Sequence, residues 1–169
     1  PIGSVAGIQP TFAVKKDGTI VAYMRDNGPP PKRVQISYSK DQGETWTFAE
    51  DTEIPNSGTG LEVINLRDGR WLMINNDTEK GRHSLALTIS DDEGATWTVK
   101  RAITDDGPGR EVETMDGKPF LMSWDNAEPR SYLAMWQAKN GVIHLIGSRQ
   151  HYAFNYRWLE TPAPAEPVR

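Results

Sequence analysis

Apolar and polar residues alternate along most of this chain in short runs. IQPTFAV, IVAYMR and RVQISYS place Val, Ile, Tyr, Phe or Ala at about every second position, and LEVINL, WLMIN and HSLALTIS repeat the pattern further on. A period of two puts one set of side chains on each face of an extended backbone, so these runs predict β-strands. Asp-Gly and Asn-Gly steps at KKDGT, RDGR and KNGV punctuate them, each glycine supplying a turn. No segment predicts a helix.

The runs recur as a set. SKDQGETW, Ser39 to Trp46, has a near twin in SDDEGATW, Ser90 to Trp97; Ser39 and Ser90 stand 51 residues apart, as do the turn glycines Gly18 and Gly69. The first repeat reads as four strands, ending in TFAEDTEI, and so does the second, ending in TVKRAI. A third begins at SYLAMWQ, turns at KNGV, and continues as IHLIG and HYAFNYRWL, without the SxDxGxTW turn and without a clear fourth strand. Its turn glycine, Gly141, lies 72 residues beyond Gly69, so about 21 residues are inserted, roughly GPGREVETMDGKPFLMSWDNAEPR. The insert reads as a loop between repeats.

Four-stranded antiparallel repeats of about 50 residues are the blades of a β-propeller, which closes with roughly four to eight of them. The expectation is therefore an all-β chain of about three propeller blades. Residues 1–160 form the partial propeller, with blades at about 8–55, 60–104 and 130–159 and an inserted loop at about 107–130; residues 161–169 form a Pro-rich tail. The remaining blades would come from another chain, an N-terminal part or further copies of this one.

Composition narrows the partners. With 37% hydrophobic and 25% charged residues, the chain suits a soluble globular domain with one modest core. A net charge of −4 and a pI near 5.4 leave no basic stripe for nucleic acid. No apolar run of about 18 residues is present to span a membrane. The absence of cysteine removes disulfides and thiol nucleophiles. His83 and His151, without HxH spacing, do not make a metal site, and no cofactor is expected. Six Trp and five Tyr against four Phe suit both carbohydrate sites and β cores. A chain beginning at Pro1 reads as a processed or truncated product.

The repeated turn has a structural explanation. Asp41 and Asp92 can accept bonds from the turn's own N–H groups, Gly43 and Gly94 can take a positive φ, and Trp46 and Trp97 can plug the blade. The rival role, catalytic acid or calcium ligand, would need these carboxylates on the functional face. In an up-and-down meander, however, the turn between strands one and two shares an end with the turn between three and four. The opposite end collects the loops between strands two and three and those between blades, and function belongs there. Gln9, Arg25, Asp26, Asn76, Asp77, Arg82, His83, Tyr132, Arg149 and His151 stand at that end, together with the insert, which could form a lid.

The residues carry a resemblance. SKDQGETW and SDDEGATW resemble the Asp-box (BNR) repeat, and IQPTFAVKKDGTIVAYMRDNG and IPNSGTGLEVINLRDGRWLMINND resemble the bacterial BNR-repeat branch of the sialidase superfamily, from about Ile8 to Trp158. The resemblance implies the C-terminal half of a six-bladed propeller and a secreted or periplasmic protein acting on glycans. Sialidases hold a substrate carboxylate with three arginines and use a tyrosine nucleophile activated by a glutamate, with an aspartate as acid/base. Arg25 looks like the second arginine, Arg82 like the third, and Tyr132 like the nucleophile. Arginine's planar fork suits a carboxylate, while a tyrosine needs activation to react at neutrality.

The pattern departs from the family at one place. Gln9 stands where the glutamate would stand, nine residues before Gly18; the same slot one blade on holds Gly60, with Glu62 two residues later and pointing the same way. The first arginine and the acid aspartate would precede Pro1. The resemblance thus implies a glycoside hydrolase, other than a standard sialidase, acting on a terminal acidic or unusual sugar. Tyr132 and His151 would be its catalytic residues, and Arg25, Arg82, Gln9, Asn76 and Arg149 would bind the substrate. A uronate-active polysaccharide lyase, with His151 or Tyr132 as base, and a non-catalytic carbohydrate-binding propeller are the alternatives. Each residue also has an ordinary reading: Arg25 and Arg82 as solvated or paired loop residues, Tyr132 as an inner-strand aromatic, His151 as a bonded loop residue, Glu111 and Glu113 as solvated surface, and Trp124, Trp136 and Trp158 as blade packing.

Overall fold

The two complete repeats form two four-stranded antiparallel sheets. A computed structural model of the chain describes residues 1–82, 84–104, 111–121, 132–147 and 150–161. The first sheet holds β1 (Gly7–Val14), β2 (Ile20–Asp26), β3 (Arg33–Ser39) and β4 (Glu50–Pro55) in chain order. The second holds β5 (Glu62–Asn65), β6 (Trp71–Asn76), β7 (Leu85–Ser90) and β8 (Thr98–Thr104), again in chain order. A short hairpin of β9 (Glu111–Glu113) and β10 (Pro119–Leu121) follows, then a third sheet of β11 (Ala134–Gln137), β12 (Ile143–Ile146) and β13 (His151–Phe154). These are the blades of a β-propeller.

Alternation along each strand decides which seam a side chain fills. Val21, Tyr23 and Val34 of the first sheet meet Val63, Trp71 and Met73 of the second. The intervening residues Leu72 and Ile74 point the other way and, with Leu85 and Leu87, meet Met135, Ile143, Leu145 and Phe154 of the third sheet. The middle sheet is thus covered on both sides, and β6 and β7 are buried along their whole length. Each large side chain so enclosed contributes on the order of 2 kcal/mol.

Polar ties stitch the same seams near the inner strands. Asn65 donates to the Val14 carbonyl at 2.8 Å and accepts from its amide at 2.9 Å, which locks β5 to β1. Thr11 accepts from the Val63 amide at 3.1 Å. One sheet further on, Gln137 accepts from the Arg67 amide at 2.9 Å.

Both SxDxGxTW turns close on themselves. Asp41 accepts from the Thr45 amide and the Ser39 hydroxyl, each at 2.8 Å, and Asp92 does the same with Thr96 and Ser90. The Thr45 and Thr96 hydroxyls bond to the same carboxyls, and together with these amides and serine hydroxyls they hold both down to about 2. Gly43 and Gly94 take φ of 93° and 86°. At Gly94 space matters as well: a Cβ there would lie 2.8 Å from the Trp71 ring and would strike the Tyr23 hydroxyl. Trp46 packs on Phe12 with ring centroids 5.7 Å apart, whereas Trp97 stands edge-on to Tyr23 of the neighbouring sheet, so it fills the seam between blades rather than its own blade.

Two expectations need correction. HYAFNYRWL is not a single strand, for β13 ends at Phe154 and a helical turn, α1 (Tyr156–Glu160), follows. The Asn155 side chain caps it by accepting from the Trp158 amide at 3.0 Å, Leu159 enters the second seam, and Arg101 lies 3.7 Å over the Trp158 ring. The insert, in turn, is not loop throughout. Thr114 to Lys118 forms a tight turn with Gly117 at φ 73°, which folds β9 onto β10, and Gln150 donates to the Glu113 carbonyl to fix the hairpin to the third sheet's loop.

Candidate active site

Irregular pairing on β1 sets the first residue in place. Ile8 pairs with Arg25 and Thr11 with Tyr23, so Gln9 and Pro10 together oppose Met24 as a β-bulge. Pro10 has no N–H to lose at this break in the ladder, and Gln9 takes φ of 56°, a left-handed conformation unusual for a residue with a side chain. A bulge redirects the side chain that it carries.

The redirected side chain joins two sheets. Arg25 donates through Nη1 to Gln9 Oε1 at 3.2 Å and through Nη2 to Asn27 Oδ1 at 3.3 Å. Gln9 Nε2 donates in turn to the Tyr132 hydroxyl oxygen at 3.0 Å. A guanidinium only donates, so it fixes which end of the Gln9 amide faces which partner. Tyr132 therefore accepts from Gln9 and keeps its own proton to give elsewhere. It is 65% exposed, just before β11. Behind Arg25, buried Asp26 holds the next loop by accepting from the Gly28 amide at 2.7 Å.

A cleft of about 170 Å³ opens beside this chain of bonds, lined by Gln9, Thr11, Gly60, Glu62, Tyr132 and Leu133, among others. Glu62 is half-buried at the start of β5, and burial pushes its carboxyl above the usual carboxylate range against the opposing effect of a Thr11 hydrogen bond. The loop before it is held by side-chain amides. Asn56 accepts from the Gly58 and Thr59 amides at 2.9 and 3.2 Å and donates to Asn75 at 2.7 Å, while Asn76 donates to the Thr59 hydroxyl at 3.1 Å. A second cleft, of about 440 Å³, continues from Glu62 past Phe12, Arg67, Trp136 and Gln137. Phe12 and Trp136 both expose ring surface to it.

Of the residues expected at the site, the structure thus brings Gln9, Arg25 and Tyr132 into contact. Arg82 lies half-buried in the loop between β6 and β7 and does not line the 170 Å³ cleft. Asn76 is wholly buried, occupied with the loop before Glu62 and without surface for a ligand. His151 is exposed on the outer face of the third sheet, stacked on His144 with ring nitrogens 3.0 Å apart, and does not line the cleft either. Arg149, His83 and Trp124 lie outside the described residues. Among the described residues no group of three His, Asp or Glu gathers as a metal site, and no helix is long and apolar enough to cross a membrane. Sequence reasoning passed over Thr11 and His144, and it noted Glu62 only as pointing the same way as Gly60.

Comparison with known proteins places this geometry. A family model described as BNR repeat-like domain matches residues 3–145. A sialidase of Clostridium perfringens is 37% identical over 102 residues, covering 58% of this chain and 25% of the relative. One of Paraclostridium sordellii is 34% identical over 102 residues, covering 58% and 24%. The chain spans about a quarter of the length of these curated relatives. Among solved structures, the intramolecular trans-sialidase from Ruminococcus gnavus in complex with oseltamivir carboxylate superposes with a TM-score of 0.63 at 20% identity, over 94% of this chain and 34% of that one. An α-L-arabinofuranosidase of Fusarium graminearum with arabinobiose gives 0.53 at 15% identity, over 82% and 39%. At such identities the structural likeness speaks for the fold.

Proposed function

Since the chain belongs to the BNR repeat-like domain family of the sialidase superfamily, we propose that its Arg25–Gln9–Tyr132 cleft is the site of a glycoside hydrolase that takes a terminal acidic or otherwise unusual sugar. The observation that carries this reading is the hydrogen-bonded chain itself, which ties Arg25, a permanent cation beside the cleft, through Gln9 to a phenol that lines it. Each Arg25 Nη nitrogen bears two hydrogens and spends one on the protein, so a hydrogen remains on each for a sugar carboxylate. Tyr132 supplies the oxygen that meets the anomeric carbon. The ring of Phe12, exposed along the adjoining cleft, suits the apolar face of a further sugar residue. Relatives named as sialidases, and structural neighbours named as a trans-sialidase and an arabinofuranosidase, support glycan chemistry of this class. A glycan-degrading role fits a secreted or periplasmic setting.

Gln9 favours one second reading. An amide accepts no proton, so the same cleft could bind a glycan without turning it over. The test is release of 4-methylumbelliferone from its glycosides of sialic acid, a uronic acid and arabinofuranose, by the full chain and by Arg25→Ala. Turnover is expected on an acidic sugar, with KM raised about tenfold or more in Arg25→Ala, the scale of one charge-assisted hydrogen bond. Binding without turnover would support the second reading, and an unsaturated product absorbing in the ultraviolet would identify a lyase.

A further inference from the structure

Neither residue bonded around Tyr132 can take its proton. Gln9 donates to the phenol oxygen, and Arg25, behind it, is a cation with donors only. Among the described residues that line the cleft one carboxylate remains, that of Glu62. We propose that Glu62 is the proton acceptor of the Tyr132 cleft, doing from the second sheet what a carboxylate at position 9 would do from the first. This inference rests on the reading of Tyr132 as the reacting hydroxyl.

Three features hold Glu62 for that task. It opens β5, where its neighbour Val63 is tied to Thr11 of β1, so its backbone cannot drift from the bulge that carries Gln9. The preceding turn is fixed by the Asn56, Asn75 and Asn76 amides. It is half-buried, and among the described residues the ionisable groups that share its two clefts are Tyr132 and Arg67. Burial moves its carboxyl toward neutrality, in the direction that improves a general base or acid.

The step balances. The Tyr132 oxygen bonds to the anomeric carbon as the bond from that carbon to the leaving oxygen breaks, and the phenolic proton passes to Glu62. An aryl leaving group departs as its phenolate. In the second half water attacks the anomeric carbon, one water proton goes to solvent, and the tyrosine oxygen leaves and recovers its proton from Glu62. One glycoside and one water become one free sugar and one aryl alcohol.

The experiment pairs a titration with kinetics, both on the full chain. Carboxyl-¹³C NMR of labelled glutamate locates the Glu62 midpoint, assigned by its loss in Glu62→Gln, in the parent and in Tyr132→Phe. The proposal requires the phenol to donate to this carboxylate in solution, so its removal is expected to raise the midpoint by roughly half a pH unit. An identical midpoint in the two proteins would overturn the proposal, whether or not turnover is found. Kinetically, Glu62→Gln is expected to lower kcat by about 10²-fold or more with KM within about threefold, and to abolish the acidic limb of the kcat/KM profile. Adding Gln9→Glu to Glu62→Gln is expected to restore part of the rate. Should Glu62→Gln keep the parent rate and acidic limb while Tyr132→Phe is inactive, Glu62 fails and the tyrosine reading stands. If Tyr132→Phe is fully active, the tyrosine reading fails and Glu62 falls with it.

Discussion

Gln9 and Tyr132, 123 positions apart in the chain, meet at 3.0 Å, amide nitrogen to hydroxyl oxygen. The contact bridges the first and third sheets across the inner edge of the second. It needs the bulge at Gln9 and Pro10, because regular pairing would leave the side chain on its ordinary alternation. The amide sits where the family resemblance calls for a carboxylate, and that single exchange defines what is unusual about the cleft.

Restoring the carboxylate should therefore be productive. In Gln9→Glu the new group faces Arg25, which would keep it ionised, and Tyr132, whose proton it could take. Turnover of the preferred aryl glycoside is expected to rise by about tenfold or more, the lower end of what general base catalysis supplies. Unchanged or reduced turnover, at unchanged stability, would show that the cleft is organised around the amide.

The repeated turns make a prediction about acid stability. Asp41 and Asp92 are held at about 2 in the folded chain, below their ordinary 3.8. A depressed folded value adds stability that is fully present above 3.8 and is lost as the pH falls through about 2. Asp92→Asn should consequently lower stability at neutral pH and flatten its decline over that acid range, as read by urea unfolding at successive pH values. An equally steep decline in the variant would remove Asp92 from the acid response.

Glu62 has the opposite sign. Its folded value is raised above 4.5, so the stability linked to it is present below 4.5 and is lost as the pH rises through the folded value. Glu62→Gln, which keeps the shape of the neutral acid, is expected to be more stable than the parent at pH 7 and equal to it near pH 4. Equal stability at both would mean that burial does not perturb this carboxyl.

The outer face of the third sheet bears on assembly. Trp136 is 62% exposed and Ile146 48%, and His144 stacks between Trp136 and His151 on the same surface. An uncovered sheet face of this kind in a propeller fold invites further blades. Light scattering on the 18.9 kDa chain is expected to report a larger species. A monomer at all concentrations would leave the three blades standing by themselves.

Much of this architecture was legible in the sequence because its signals are local. The 51-residue spacing of the SxDxGxTW turns and the two-residue alternation of IVAYMR and WLMIN correspond to strands within a residue or two of their ends. The hairpin in the insert was missed, although TMDGK spells the same Asp-Gly turn as KKDGT, because its strands of three residues are too short to show a period. The turn at Tyr156–Glu160 escaped because Asn155 as a cap and Leu159 as an anchor act over five residues, beneath the reach of periodicity. At the site, strand order alone grouped Gln9, Arg25 and Tyr132. It could not show that Asn76 is spent on a loop, that His151 pairs with His144, or that Glu62 shares the cleft, because those depend on side-chain packing between sheets.

The central claim, that the Tyr132 hydroxyl takes part in turnover at this cleft, is tested most directly by Tyr132→Phe. The measurement is kcat/KM on the best aryl glycoside together with Kd for the released sugar, in parent and variant. Loss of the hydroxyl is predicted to lower kcat/KM by about 10²-fold or more while Kd stays within about threefold. Equal kcat/KM in the two proteins would contradict the account.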